Sequence, residues 1–321
     1  MASATRLKLP LLLALLAAVL LYPWIFTSNY AVNWGMLVLF TAFLGQSWNV
    51  SGGFAGQMSF GHAAFFGTGA YAYSILVVSY GINPWLAWLL AMVAGGAMGA
   101  MIGFLSFRFG LKGSYFALIT LAFAEFLRVM ADSVSFTQGG LGILIPLQSG
   151  APMQFEHAWE SYYLAAAMCL VAVLIAAGLK YTRFGARLVA IRDNESAAMA
   201  LGIDIFRQKV LCLTLSGAMA GAGGGFYVSK YLYVDPHIAY NLGRSVEMLL
   251  VTMVGGAGTV FGPLWGAAAI GALGELTRSL SQSPGLSLVV YGVILIAIVA
   301  FLPGGLTSML GLLRKRCRHH A

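Results

Sequence analysis

Long apolar runs separated by short polar pauses make up almost the whole chain. Residues 9–107 contain no Asp, Glu, Lys or Arg. A helix that crosses a bilayer needs about 20 predominantly apolar residues. Ten stretches meet or approach that length: 9–27, 31–50, 58–80, 84–107, 113–131, 161–179, 208–229, 242–257, 260–278 and 285–303. The stretch at 242–257 is short. The segments around Gly52 and Gly53, and around Gly255 and Gly256, read either as clean turns or as broken or re-entrant helices.

Composition turns the pattern into a class. Of 321 residues, 60% are hydrophobic and 9% charged, with a mean hydropathy of +0.85. A soluble domain carries about 25% charge, and no globular core hides this much apolar surface. The expected fold is an all-α polytopic membrane protein, one transmembrane domain over 1–321 with about ten helices. A β-barrel is excluded, because its strands alternate over only about ten residues. The run at 9–26 follows Arg6 and Lys8. It is long for a signal peptide, and Tyr22-Pro23-Trp24 stands where a small-residue cleavage site would be, so it reads as a retained first span. Cys169, Cys212 and Cys317 have no paired or metal-ligand spacing and read as apolar filler.

Charge supplies an orientation. With the N-terminus in the cytoplasm, the inner positions hold Arg6 and Lys8, Arg108 and Lys112, the basic residues of 180–209, and those of 314–318. That places 14 of the 18 basic residues inside, as the positive-inside rule requires, and puts both termini in the cytoplasm. The formal charge of +8 is therefore a topology signal and gives no footing for nucleic acid. Two connections are long: an outer, periplasmic loop at 132–160 and an inner, cytoplasmic loop at 180–209.

The inner loop encodes a short helix. Asn194 is a good N-cap, and Glu195 sits in the first turn, where the helix dipole favours a carboxylate. Residues 197–201 are strong helix formers, and Gly202 suits a left-handed end. Ala198 and Leu201 share a face, and Arg187, Arg192 and Asp193 lie just before it. A short apolar knob flanked by charge fits either a groove on a soluble partner or the lipid headgroup layer.

Four blocks carry a family resemblance. "AIRDNESAAMALGI" resembles the cytoplasmic coupling region of permease subunits of the bacterial branched-chain, or hydrophobic, amino-acid ABC transporter family. "GGFAGQMSFGHAAFFGTGAY" resembles that family's N-terminal signature, "SVEMLLVTMVGGAGTVFGPLWGAAAIG" its C-terminal one, and "ITLAFAEFLR" also fits. The blocks span 49–271 in family order and, of the two permease subunits in such systems, resemble the Liv-type M subunit. The N-terminal region is shorter than in some relatives. The resemblance implies an importer of the bacterial inner membrane. Two permeases form the pathway, two ATPase subunits drive it, and a periplasmic binding protein delivers the amino acid. It implies that 194–201 docks into an ATPase and that this chain itself is not an enzyme. The outer loop then suits the binding protein.

No G-x-x-x-x-G-K-[ST] loop occurs, so no cofactor is expected on this chain, and ATP and Mg belong to the partner ATPases. "GGAGTVFG" at 255–262 lacks the dinucleotide pattern. No catalytic or metal-ligand constellation stands out.

Two sets of polar residues remain within the apolar runs. Asn49, Gln57, Ser59 and His62 form a polar knot that reads either as a pathway or gate element or as bonded helix packing. Its segment "GGFAGQMSFG" is faintly echoed by "GGAGTVFG". Glu125 with Arg128, Arg244 with Glu247 and Glu275 with Arg278 are spaced i, i+3. They suit either the pathway, with Glu125 and Glu247 as candidates, or an outer interface. The alternative function is an autonomous ion-coupled carrier or channel. Against it, each acid has an Arg that would hold it ionised. The solute is open among leucine, isoleucine, valine, urea, amides and aromatic acids, since selectivity in such systems lies largely with the binding protein.

Overall fold

A computed structural model describes residues 8–147, 152–280, 289, 292–293, 296 and 305–307. Its long helices fall on nine of the ten apolar stretches. They are α1 (Lys8–Ile25), α2 (Asn29–Trp48), α3 (His62–Val78), α4 (Pro84–Arg108), α5 (Gly113–Ser133), α6 (Ala158–Tyr181), α9 (Ile205–Tyr231), α11 (Leu242–Gly255) and α12 (Gly262–Leu280). The stretch at 285–303 and the basic tail at 314–318 lie outside the described residues, apart from isolated positions. By length and apolarity α4, α5, α6 and α9 can each cross a membrane.

Helix starts are written locally. Ser28 Oγ accepts from Ala31 N at 3.2 Å to cap α2, and Asn83 Oδ1 accepts from Trp85 N at 2.9 Å, with Pro84 opening α4. Helices alternate in direction. One end of the bundle carries the segment 182–204 and is here termed the loop end. The far end carries the 134–157 connection. There β1 (Ile143–Leu144) pairs antiparallel with β2 (Tyr233–Val234), and Tyr30 donates to Glu275 at 2.6 Å, tying α2 to α12. The four-residue α10 (Pro236–Ala239) follows β2.

The core forms around α9. Its most apolar stretch is 67% buried, against 33–39% for α4, α5 and α6. It packs closely on α4 and α3 because glycines face each other. A Cβ at Gly221 would stand 2.7 Å from the Ala91 carbonyl oxygen, and one at Gly224 would stand 2.0 Å from that of Phe66. Backbones this close gain dispersion contact along the whole crossing.

Three findings differ from the sequence expectation. The helix of α2 does not stop at Trp48 but continues as a wider π turn over Asn49–Phe54. The inner loop is almost all helix: α7 (Arg183–Asp193) precedes the expected short helix, which runs as α8 (Glu195–Ala200). The outer connection is shorter than 132–160, since Asp132 lies in α5 and Glu160 in the first turn of α6, where it forms a capping box with His157.

Candidate functional site

Two helices break at the loop end, and their breaks touch. The first joins α2, through the π turn, to α3 by the non-helical residues 55–61. The second joins α11 to α12 by 256–261. Each break frees backbone groups that must find partners in a buried setting. Some partners lie within the same break, and others are side chains from elsewhere in the fold.

Asn49 is fully buried and bonds across the junction. Its Oδ1 accepts from Gly258 N at 2.8 Å, and its Nδ2 donates to the Thr259 carbonyl at 3.0 Å and to Gln46 Oε1 at 3.3 Å. Gln46 Nε2 donates to the Val260 carbonyl at 3.3 Å. One amide pair thus holds the second break against the first. Thr252 Oγ1 donates to the Gly45 carbonyl at 2.7 Å and adds a third tie between α11 and α2.

Carbonyls of the π turn are satisfied one by one. Val50 O accepts from Cys212 Sγ at 3.2 Å, Ser51 O from Gln57 N at 2.9 Å, and Gly53 O from Arg192 Nη1 at 3.1 Å. Trp48 Nε1 donates to the Ser59 carbonyl at 2.8 Å, and Ser59 Oγ accepts from Gly61 N at 3.2 Å. Gln57 Nε2 turns back to the Ala55 carbonyl at 3.0 Å. The start of α3 lacks its own side-chain cap, and Ser245 of α11 supplies one, its Oγ accepting from Ala63 N at 2.8 Å.

His62 lies at the centre, fully buried. Its Nε2 is 2.8 Å from Ser216 Oγ, and that hydroxyl donates to the Ser47 carbonyl at 2.7 Å. Since the hydroxyl proton is used, Nε2 carries the imidazole proton and donates. Nδ1 is then an acceptor, and it has no partner among the described residues. Asn49, Gln57, Ser59 and His62 therefore share one polar joint, whose side chains bond to backbone and to one another.

At the loop end, α7 buries Leu188 and Ile191 and exposes Arg187. Asn194 caps α8, its Oδ1 accepting from Ala197 N at 3.0 Å, and Gly202 follows with φ +78°. Ala198 does not share an exposed face with Leu201: it is 2% exposed and packs inward, while Leu201 is 80% and Met199 61% exposed. The knob is Met199 with Leu201. In a helix this short, only one side can meet the protein, and Ala198 is small enough to do so.

Glu195 ties α8 to the bundle. Its Oε2 meets Lys112 Nζ at 2.6 Å, and its Oε1 pairs with Lys209 of α9. Burial raises the carboxyl's pKa, but the two lysines outweigh it and the net shift is downward, so Glu195 stays ionised. Beside this anchor lies a cleft of about 370 Å³, lined in part by Phe107, Leu111, Met199 and Phe206.

The remaining candidates stand apart from the joint. Glu125 is exposed on α5, bound to Arg128 at 2.5 Å, and Arg128 Nη1 lies 3.4 Å from His237 Nδ1. Arg244 bonds Glu247 at 3.0 Å, and its guanidinium lies 5.4 Å from the Phe66 ring centroid and 5.3 Å from that of Tyr227. The third expected pair does not close. Glu275 takes the Tyr30 hydroxyl instead, and it forms no ion pair with Arg278 among the described residues. Sequence reading missed Gln46, Ser216, Ser245 and Thr252. Each is an uncharged polar residue within a stretch read as an apolar span, which was the available signal.

The chain matches the family described as "Branched-chain amino acid transport system / permease component" over residues 30–299. It is 27% identical to the high-affinity branched-chain amino acid transport system permease protein LivM of Salmonella typhimurium, over 93% of this chain and 74% of that protein. The figures for LivM of Escherichia coli are the same. It is also 30% identical to the ribose import permease protein RbsC of Bacillus subtilis, over 47% of this chain and 49% of that protein.

Proposed function

This chain belongs to the branched-chain amino acid transport permease family, and from that premise we propose how it works as a permease subunit of an ATP-binding-cassette importer for branched-chain amino acids. It is a transport component. Beside a second permease it lines the pathway across a bacterial inner membrane. Two ATPase subunits bind ATP and Mg and dock at the loop end, which faces the cytoplasm. A periplasmic binding protein delivers the solute at the far end. Ten spans and two cytoplasmic termini complete the topology.

The observation that supports this reading is α8: an Asn-capped helix that presents Met199 and Leu201 to solvent and is braced to the bundle by Glu195. An apolar knob on a braced helix suits a groove on a soluble partner. The polar joint then acts as the closed inner part of the pathway, held by Asn49 and centred on His62. An autonomous ion-coupled carrier is less well supported, because Glu125 and Glu247 are each bonded to an arginine.

The test is purification of the chain from its native membrane in mild detergent, with partners identified by mass. A second permease and two ATPase subunits are expected to co-purify. Recovery of the folded chain alone, in several detergents, would favour the autonomous carrier and leave α8 as a membrane-surface anchor.

A further inference from the structure

Arg192 precedes α8 by only three residues, and its partly exposed side chain reaches the joint with one nitrogen. Its Nη1 donates to the Gly53 carbonyl at 3.1 Å. Its stem lies over Gly56, where an added Cβ would come within 2.6 Å of Arg192 Cγ. The same Nη1 stands 2.9 Å from the place a Cβ of Gly258 would occupy. Gly56 and Gly258 have φ of +67° and +73°, so both their backbone conformation and this contact demand glycine. One guanidinium therefore touches the break after α2 and the break before α12.

The other side of the fork is fixed. Asp193 Oδ1 accepts from Nε at 3.1 Å and pairs with Nη2 at 3.1 Å. A planar guanidinium held on one edge aims its other edge. The backbone behind it is stiff as well. Arg192 and Asp193 end α7, which is anchored by buried Leu188 and Ile191, and Asn194 is already the cap of α8. No flexible spacer separates the arginine from the helix offered to the partner. Only Asn194 lies between α7 and α8, so a displacement of α8 that draws the end of α7 with it moves the guanidinium.

We propose that Arg192 is a positioning residue that transmits movement of α8 to both glycine breaks, through the Gly53 carbonyl and the surface of Gly258. This rests on the importer reading, and it assigns Arg192 an inward role rather than a contact with the ATPase. While α8 stays as observed, the arginine holds the two breaks together. When the ATPase draws α8 away, the bond to Gly53 is lost or redirected and the joint is free to part.

The test uses the complete importer reconstituted in liposomes: both permeases, the ATPase subunits and the binding protein loaded with leucine. Uptake and ATP hydrolysis are measured together for wild type, R192A, R192K and D193A. R192A is expected to lower the ratio of uptake to hydrolysis about tenfold, within the usual range of coupling free energies, with the ATPase subunits still co-purifying. R192K should recover part of the ratio, since it keeps the charge but not the fork. D193A, at an exposed position that tolerates change, should lower the ratio to a lesser degree and serves if R192A does not fold. Loss of the ATPase subunits from R192A would make it a docking contact and overturn the proposal, as would a wild-type ratio in both R192A and D193A. A wild-type complex without ATP-dependent uptake would instead count against the importer reading itself.

Discussion

Asn49 shows how much a single side chain can decide at a helix break. Three of its hydrogen bonds cross to other groups, and two of them reach the backbone of the second break. Removing the amide leaves the Gly258 N–H and the Thr259 carbonyl without that partner in a part-buried setting. Each such loss costs about 1–3 kcal/mol, so Asn49→Ala should destabilise the protein by about 2–6 kcal/mol. The check is a thermal melt of the purified protein in detergent, read beside Ser79→Ala at the end of α3. An unchanged midpoint for Asn49→Ala would mean that the second break is held by other contacts. The sequence marks Asn49 as unusual because it is a polar residue in an apolar run. It gives no hint of its partners, since Gly258 and Thr259 lie more than two hundred positions away. The same distance problem hides Arg192. Its neighbours make it look like part of a charged loop face, and only the fold reveals Gly53 beneath it.

Elements were legible where the physics is local. Apolar runs set the helix positions, and caps such as Asn83 before Pro84 and Asn194 before Glu195 set the starts. The π turn was hidden, because Val50, Ser51 and Phe54 are equally at home in an α-helix and the wider turn answers to Cys212 and Arg192 from elsewhere in the chain. Helix α7 was hidden by its charges, which obscure the buried Gly185, Leu188 and Ile191 stripe. The face of α8 was misread for a related reason. Helical spacing says that Ala198 and Leu201 are neighbours, but not which side the bundle covers. With Leu201 outermost, Leu201→Asp changes a surface position, where substitutions cost within about 0.5 kcal/mol. Its expected effect is loss of the ATPase subunits on co-purification, with the melting midpoint kept. Retention of those subunits would remove α8 from the docking surface.

At the scale of the whole molecule, the charged and polar features sort to two ends joined by an apolar bundle. The loop end holds Lys112, Arg187, Glu195 and Lys209 around α7 and α8, and the far end holds Arg128, His237 and the β1–β2 pair. Long apolar helices with loop sets at opposite ends suit a lipid slab, in which helices satisfy their own backbone groups. In the proposed topology the positive-inside rule puts the more basic loop end in the cytoplasm. This can be checked one residue at a time. Leu201 is 80% exposed at the loop end and Leu141 is 86% exposed at the far end, while native Cys169 and Cys212 are buried. In a Cys317→Ser background, Leu141→Cys should react with a membrane-impermeant maleimide on intact spheroplasts. Leu201→Cys should react only after lysis. Labelling of both cysteines on intact spheroplasts would place the two ends on one side and refute the spanning arrangement. The reverse pattern would keep the spans but invert them, and would put α8 where no cytoplasmic ATPase could reach it.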